Sequence, residues 1–395
     1  MSRVKSWVLT DTFADIWQDT FAVNQSSFPQ KFPAPWSVQK RTLRGGRRDG
    51  VEVVEVNNGV LSFTVLPTRG MGIWSGWYRG SHLGWQAPVL GPVHPLHVNL
   101  LDRGGLGWLD GFDEWICRCG LSSNGPPCTD PVTGEFLPLH GRIANLPAHY
   151  LEVQVNLAEP HELKVVGQVD ETTMFFSRLR MTTTLTTTPG SNRILIEDKV
   201  ENLSSRPAEL ELLYHCNFGP PFVEAGSKVL LPFRQVAPRD LAAAEGVTDL
   251  HTVAGPTPGF KEQVFYFDPL ADREGWTVAL LHNARADRGV AVRFKRAELP
   301  HFIVWKNSAA AEDGYVVGLE PATDLPNPRP FEREKGRVVT LPPEGSYYCT
   351  VAVEIHDTAL TLETVLDEIA RLQKQAKPVI HPKPVADLSP AGNGS

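Results

Sequence analysis

No run of about eighteen apolar residues occurs anywhere in the 395 residues, so no segment reads as a membrane-spanning helix. The opening residues, Met1-Ser2-Arg3-Val4-Lys5-Ser6-Trp7, lack the continuous apolar stretch of a secretory signal. Cysteine is scarce. Cys117, Cys119, Cys128, Cys216 and Cys349 are odd in number and unevenly spread, which excludes a secreted disulfide framework. Basic blocks are missing as well, and a net charge of −7 leaves nothing to track a nucleic-acid backbone. There is no Walker or dinucleotide glycine fingerprint. Cys117-Arg118-Cys119 lacks the Cys-x-x-Cys spacing of a zinc site, although His94 and His97 lie nearby in sequence. The expectation is a soluble, cytoplasmic chain with no cofactor, no metal and no nucleic-acid or membrane partner. Self-association stays open.

Turn formers and β-branched runs are what the chain does have. Proline and glycine each number 33, and segments with helical periodicity are few, which favours an all-β architecture. Val51 to Val56, a turn at Asn57-Asn58-Gly59, and Val60 to Leu66 read as a hairpin, because Asn-Gly between β-branched runs supplies the positive φ of a tight turn. Strand patterns resume at Tyr150 and recur up to Ile355, at the spacing of a sandwich of antiparallel sheets. A short helix is expected near Asp11 to Thr20. Leu360 to Leu372 carries apolar residues at helical spacing and predicts a C-terminal helix. Residues 80–147 lose periodicity but hold Trp85, Trp108, Trp115, His94, His97 and His140, a composition that suits a binding-cleft wall better than disorder. The expected organisation is one unit over 1–376 and a mobile tail over 377–395.

Three stretches carry chemistry. In Ala208 to Asn217, period-2 alternation sends Leu210, Leu212, Tyr214 and Cys216 to the core and puts His215 and Asn217 on the opposite, polar face. In Leu139-His140-Gly141-Arg142, a glycine beside the histidine allows close backbone approach, and Arg142 could present a fork of donors. Gly318-Leu319-Glu320-Pro321 ends a strand with a carboxylate, and Gly318 on the same face leaves room beside it. Taken singly, each is a common surface or loop feature. Lys306, after Trp305, could reach a phosphate or carboxylate on a substrate. Of Trp74, Trp85, Trp108, Trp115 and Trp305, one or two are expected to line a site and the others to fill the core.

In that order, Leu139-His140-Gly141, Tyr214-His215-Cys216-Asn217-Phe218 and Gly318-Leu319-Glu320-Pro321 resemble the aldose 1-epimerase (galactose mutarotase-like) family. Cys117-Arg118-Cys119-Gly120-Leu121 and Leu66-Pro67-Thr68-Arg69-Gly70-Met71-Gly72 look like a divergent branch of it. The resemblance covers roughly residues 50 to 355 and implies a β-supersandwich with a few short helices. It also implies a cofactor-independent mutarotase that interconverts the anomers of an aldose or modified sugar by ring opening. Glu320 would then be the general base on the C1 hydroxyl and His215 the general acid on the ring oxygen. His140 would bind the sugar, with Asn217 and Lys306 near it, and either Arg69 or Arg142 would stand for the family's arginine. The pattern departs from typical members after the second histidine, where they carry Tyr-Phe-Asn. A carbohydrate lyase or isomerase on the same fold, or a carbohydrate-binding protein without turnover, is the alternative.

Overall fold

A computed structural model describes residues 3–393 of the chain. Among these residues the strands gather into a ten-stranded sheet, a fourteen-stranded sheet and a two-stranded ribbon, and nearly every pairing is antiparallel. The two large sheets face each other. Strict alternation in Tyr150–Asn156 and Leu163–Thr172 turns Leu151, Val153, Val155, Leu163, Val165 and Val169 inward. They meet Val54, Phe63, Leu210, Leu212 and Tyr214 of the larger sheet in one continuous apolar core. Each such side chain contributes about 1.5–3 kcal/mol by leaving water. A buried ionic clamp crosses the same interface. The Arg118 Nε and Nη2 donate to Asp198 at 2.9 and 3.1 Å, and Tyr214 and Thr183 hydroxyls donate to that carboxylate at 2.7 and 2.6 Å. The expected all-β supersandwich is therefore what the chain forms.

The hairpin forms as expected, with Glu52–Asn57 paired to Leu61–Leu66. Asn58 Oδ1 accepts from the amides of Val60 and Leu61, and Gly59 takes φ +100°. The helix expected near Asp11 to Thr20 is absent. Asp11 Oδ1 instead accepts from the amides of Phe13 and Ala14, turning the chain so that Ile16–Trp17 pairs back on Thr10 and Asp11. Asp competes well for neighbouring amides, and that outweighs weak helical periodicity.

Six strands of the larger sheet build the site: β1 (Ile116–Leu121), β2 (Ala208–Phe218), β3 (Phe233–Pro238), β4 (Gln263–Pro269), β5 (His301–Asn307) and β6 (Val316–Ala322). They lie side by side in the order β3-β4-β5-β6-β2-β1. One face packs on the core between the sheets. The other is buried too, under Trp85, Trp108, Phe112 and Leu139 from the 80–147 stretch.

The C-terminal helix α1 (Ala359–Gln373) is capped by Thr358 and packs Leu362, Val365 and Ile369 on Val278, Leu280 and Ala291 of the smaller sheet. The segment after it was expected to be mobile, yet it lies along the larger sheet. Val379–Ile380 pairs in parallel with β3, and the Ser389 hydroxyl donates to the Arg239 carbonyl at 2.6 Å. Arg337 and Asn327 donate to the carbonyls of Asp387 and Leu388. Its prolines removed backbone donors without preventing these contacts.

Candidate active site

Register brings the two late motifs together. β2 and β6 pair Leu213 with Ala322 and Cys216 with Leu319, which sets His215 opposite Glu320 on the face away from the core. The His215 Nε2 lies 3.2 Å from Glu320 Oε1, and both side chains are almost fully buried. Glu320 Oε1 has no hydrogen-bond partner among the described residues, an unusual state for a buried carboxyl oxygen. Gly318 is next on this face, and a Cβ there would collide with Glu320 Oε1. The room left by the glycine is thus filled by the carboxylate itself, folded back along its strand toward His215.

Asn217 stands behind the pair. Its Nδ2 donates to the Glu114 and His215 carbonyls at 3.0 and 3.2 Å, leaving Oδ1 to accept from His215 Nδ1 at 2.6 Å. The other ring nitrogen, Nε2, therefore faces Glu320. Burial, with His140 nearby, lowers the His215 pKa to about 3. Burial, reinforced by the Glu262 charge, raises Glu320 well above the usual carboxylate range. Both shifts favour uncharged groups, so the pair holds one proton between its two members at neutral pH.

His140 reaches the same spot from the 80–147 stretch. Its backbone sits at φ +57° and is followed by Gly141 at +68°, where a Cβ would run into the Ser123 and Gly120 carbonyls. The turn puts the His140 ring 5.6 Å from that of His215 and 4.6 Å from that of Trp108. Burial, only partly opposed by the Asn124 carbonyl, lowers the His140 pKa to about 4.

The remaining residues expected to bind substrate are engaged elsewhere. Arg69 is buried, and its guanidinium donates to Glu114 Oε1 at 2.7 Å, to the Val93 and Gly111 carbonyls and to Asn145 Oδ1. Arg142 pairs with Glu135 at 3.2 Å. Lys306 neighbours Trp305 in sequence but alternates to the other face, where its Nζ donates to the carbonyls of Asp249, Leu250 and Thr252 at 3.0, 2.6 and 2.9 Å. Asn217 orients His215 and has no donor to spare. In all four the protein's own acceptors take the donors.

Around the three motifs stand an expected tryptophan and two charged groups that sequence reasoning missed, Arg239 and Glu262. The Trp305 ring lies 5.3 Å from His215, and its Nε1 donates to Glu262 at 2.7 Å. Arg239 donates to Glu262 and to Asp240, both at 2.8 Å. The Arg239 and Glu262 charges are close enough to act on Glu320 and His140. Trp85, Trp108 and Trp305 all join this apolar cluster, one more than expected, while Trp115 lies in the main core. The Trp108 Nε1, buried, has no partner among the described residues. Glu262 and Arg239 flank strands without any motif, so only spatial proximity identifies them.

Residues 48–355 match the model of a family described as a domain of unknown function, DUF4432. The chain belongs to that family. No protein of curated function matches this DUF4432 chain. A solved structure from Klebsiella pneumoniae subsp. pneumoniae, named a "putative aldose 1-epimerase", is 34% identical, with a TM-score of 0.93 over 97% of this chain and 99% of that one. A galactose mutarotase-like protein of Clostridium acetobutylicum is 14% identical, with a TM-score of 0.55 over 86% and 99% of the two chains. A galactose mutarotase related enzyme of Lactobacillus acidophilus is 12% identical, with a TM-score of 0.53 over 78% and 98%. The last two show the fold alone. The DUF4432 chain has the galactose mutarotase-like fold, and none of its described helices is long and apolar enough to cross a membrane.

Proposed function

We propose that this protein is a mutarotase that opens and recloses the ring of a free aldose without a cofactor. The observation that carries the reading is the His215–Glu320 pair, 3.2 Å apart, buried, with Glu320 Oε1 unpartnered. Ring opening of a hemiacetal moves two protons at two oxygens bonded to one carbon. An acid and a base this close together match that demand.

In the proposed reaction the proton shared by the pair starts on His215 Nε2, with Nδ1–H held by Asn217, so that Glu320 is an ionised base and takes the proton from the C1 hydroxyl as the C1–O bond becomes a carbonyl. His215 Nε2 delivers its proton to the ring oxygen as the C1–ring-oxygen bond breaks. Both groups end uncharged, the state their burial favours, so the open-chain aldehyde forms without leaving an unpaired buried charge. Rotation about C1–C2 and the reverse transfers close the ring with either configuration at C1. His140 binds a hydroxyl, Trp108 Nε1–H is a donor without a competing partner, and Trp305 presents an aromatic face held by Glu262.

The similarity to the Klebsiella protein supports this reading, as do the three motifs converging on one buried spot. Exchange between anomeric NMR signals of free aldoses, faster with protein than in buffer, tests it. An unsaturated or shortened product would assign the site to lyase chemistry instead.

A further inference from the structure

Glu211 lies four residues back along β2 from His215, and Asp324 four on from Glu320, just past the end of β6; the Thr323 amide donates to the Leu212 carbonyl at 2.9 Å and carries the same register on towards these two acids. Both are fully buried, on the face of the sheet that carries the site. Each keeps one buried oxygen, Glu211 Oε1 and Asp324 Oδ2, without a partner among the described residues, and two neighbouring carboxylates would repel in a dry surrounding, so the pair is expected to share a proton. Together they grip one residue. The Asn124 backbone amide donates to Glu211 Oε2 and its side-chain Nδ2 donates to Asp324 Oδ1, each at 2.9 Å. The Thr323 hydroxyl donates to the same Asp324 oxygen at 2.8 Å. The Asn124 carbonyl in turn lies 2.7 Å from His140 Nδ1. A carbonyl only accepts, so His140 carries its proton on Nδ1 and its Nε2 is a bare acceptor.

We propose that the Glu211–Asp324 carboxyl pair, acting through Asn124, positions His140 as a hydrogen-bond acceptor for a substrate hydroxyl. An ether-type ring oxygen has no proton to offer, so His140 in this tautomer binds a hydroxyl and not the ring oxygen. The inference rests on the reading of His140 as a sugar-binding group. Glu211, Asp324 and Asn124 are positioning residues: they touch His140 or its support and not the reacting atoms.

Other charges face the pair. Glu332 repels both carboxyl groups and is itself clamped by Arg337, while Arg329 draws on Glu211 and is tied to Asp130. With burial they place the Glu211 pKa at about 8. Above that value the second carboxylate forms and the grip on Asn124 loosens.

The test has an arm that needs no substrate. Ring 15N NMR of His140 in the sugar-free protein should show a protonated Nδ1 and a bare Nε2. Asp324→Ala should turn this into a tautomer mixture and raise KM about tenfold or more with a smaller change in kcat. Asp324→Asn, whose amide hydrogen replaces the shared proton, should restore both, and should keep the His140 signature at alkaline pH where the natural protein loses it. Asn124→Ser provides a second disruption if Asp324→Ala fails to fold. An unchanged His140 tautomer in Asp324→Ala or Asn124→Ser, or an Asp324→Asn protein with the same alkaline loss as the natural one, overturns the proposal. A normal tautomer response without any sugar turnover would sink the mutarotase reading and leave the positioning network standing.

Discussion

Glu320 and His215 face each other across neighbouring antiparallel strands, Oε1 to Nε2 at 3.2 Å, and beyond the Leu213–Ala322 pair, four residues along each chain, lie Glu211 and Asp324. The first pair faces His215 with Glu320 Oε1, and the second uses one oxygen of each carboxyl group, Glu211 Oε2 and Asp324 Oδ1, to accept from Asn124. On the proposed reading the first pair serves the chemistry and the second the positioning of His140.

Gly318→Ala separates packing from chemistry. Its new methyl group takes the space of Glu320 Oε1, while the strand backbone tolerates alanine. The expected outcome is a cooperative fold destabilised by about 1–3 kcal/mol and kcat lowered by about a hundredfold. Calorimetry beside a kinetic assay checks both halves.

Arg69 and Lys306 belong to the fold. Arg69→Met strands the Glu114 carboxylate in the interior and is expected to cost about 3–5 kcal/mol. Lys306→Met removes the donor shared by three carbonyls, of which that of Asp249 keeps the Thr252 amide, at a cost on the order of 2 kcal/mol. Denaturant unfolding measures both. For Lys306→Met, KM for the sugar should stay unchanged at a temperature where the variant is folded.

On the proposed reading, charge at the site should favour an uncharged sugar. Arg69, Arg142 and Lys306 are all engaged, and Arg239 is shared between Asp240 and Glu262, leaving the carboxylates in excess beside Trp305. A neutral aldose should show kcat/KM at least about tenfold above that of its uronic acid or phosphate, since an unmatched charge costs more than 1.4 kcal/mol on approach. A substrate panel at two ionic strengths tests this, and a preference for the anionic sugar would contradict it.

Much of this was legible in the sequence. Alternation in β2 assigned Leu210, Leu212, Tyr214 and Cys216 to the core and His215 to the other face, and the structure agrees. Period 2 is a local property, and it survives folding when both faces of a strand are used. The donors' partners were not legible. Lys306 is diverted to carbonyls of Asp249 to Thr252, more than fifty residues away, and Arg69 to Glu114. Nothing in a short motif encodes such distant acceptors. Glu262 and Arg239 were missed for the same reason.

Stability should carry the mark of Glu211. Its folded pKa, raised by burial to about 8, lies above the unfolded value, so the unfolded chain releases its proton first. Stability therefore falls as pH rises from the unfolded carboxylate pKa to about 8 and then levels. Glu211→Gln removes this contribution, and its Tm should drop less than that of the natural protein over that range.

The most direct test of the central claim is anomeric exchange by NMR on neutral aldoses, comparing the natural protein with Glu320→Gln and His215→Asn. The account predicts exchange well above the buffer rate, lost by about 10²–10⁴-fold in either variant, with the double variant no worse than the poorer single one. Undiminished exchange in Glu320→Gln, or no aldose exchanging faster than buffer, would contradict it.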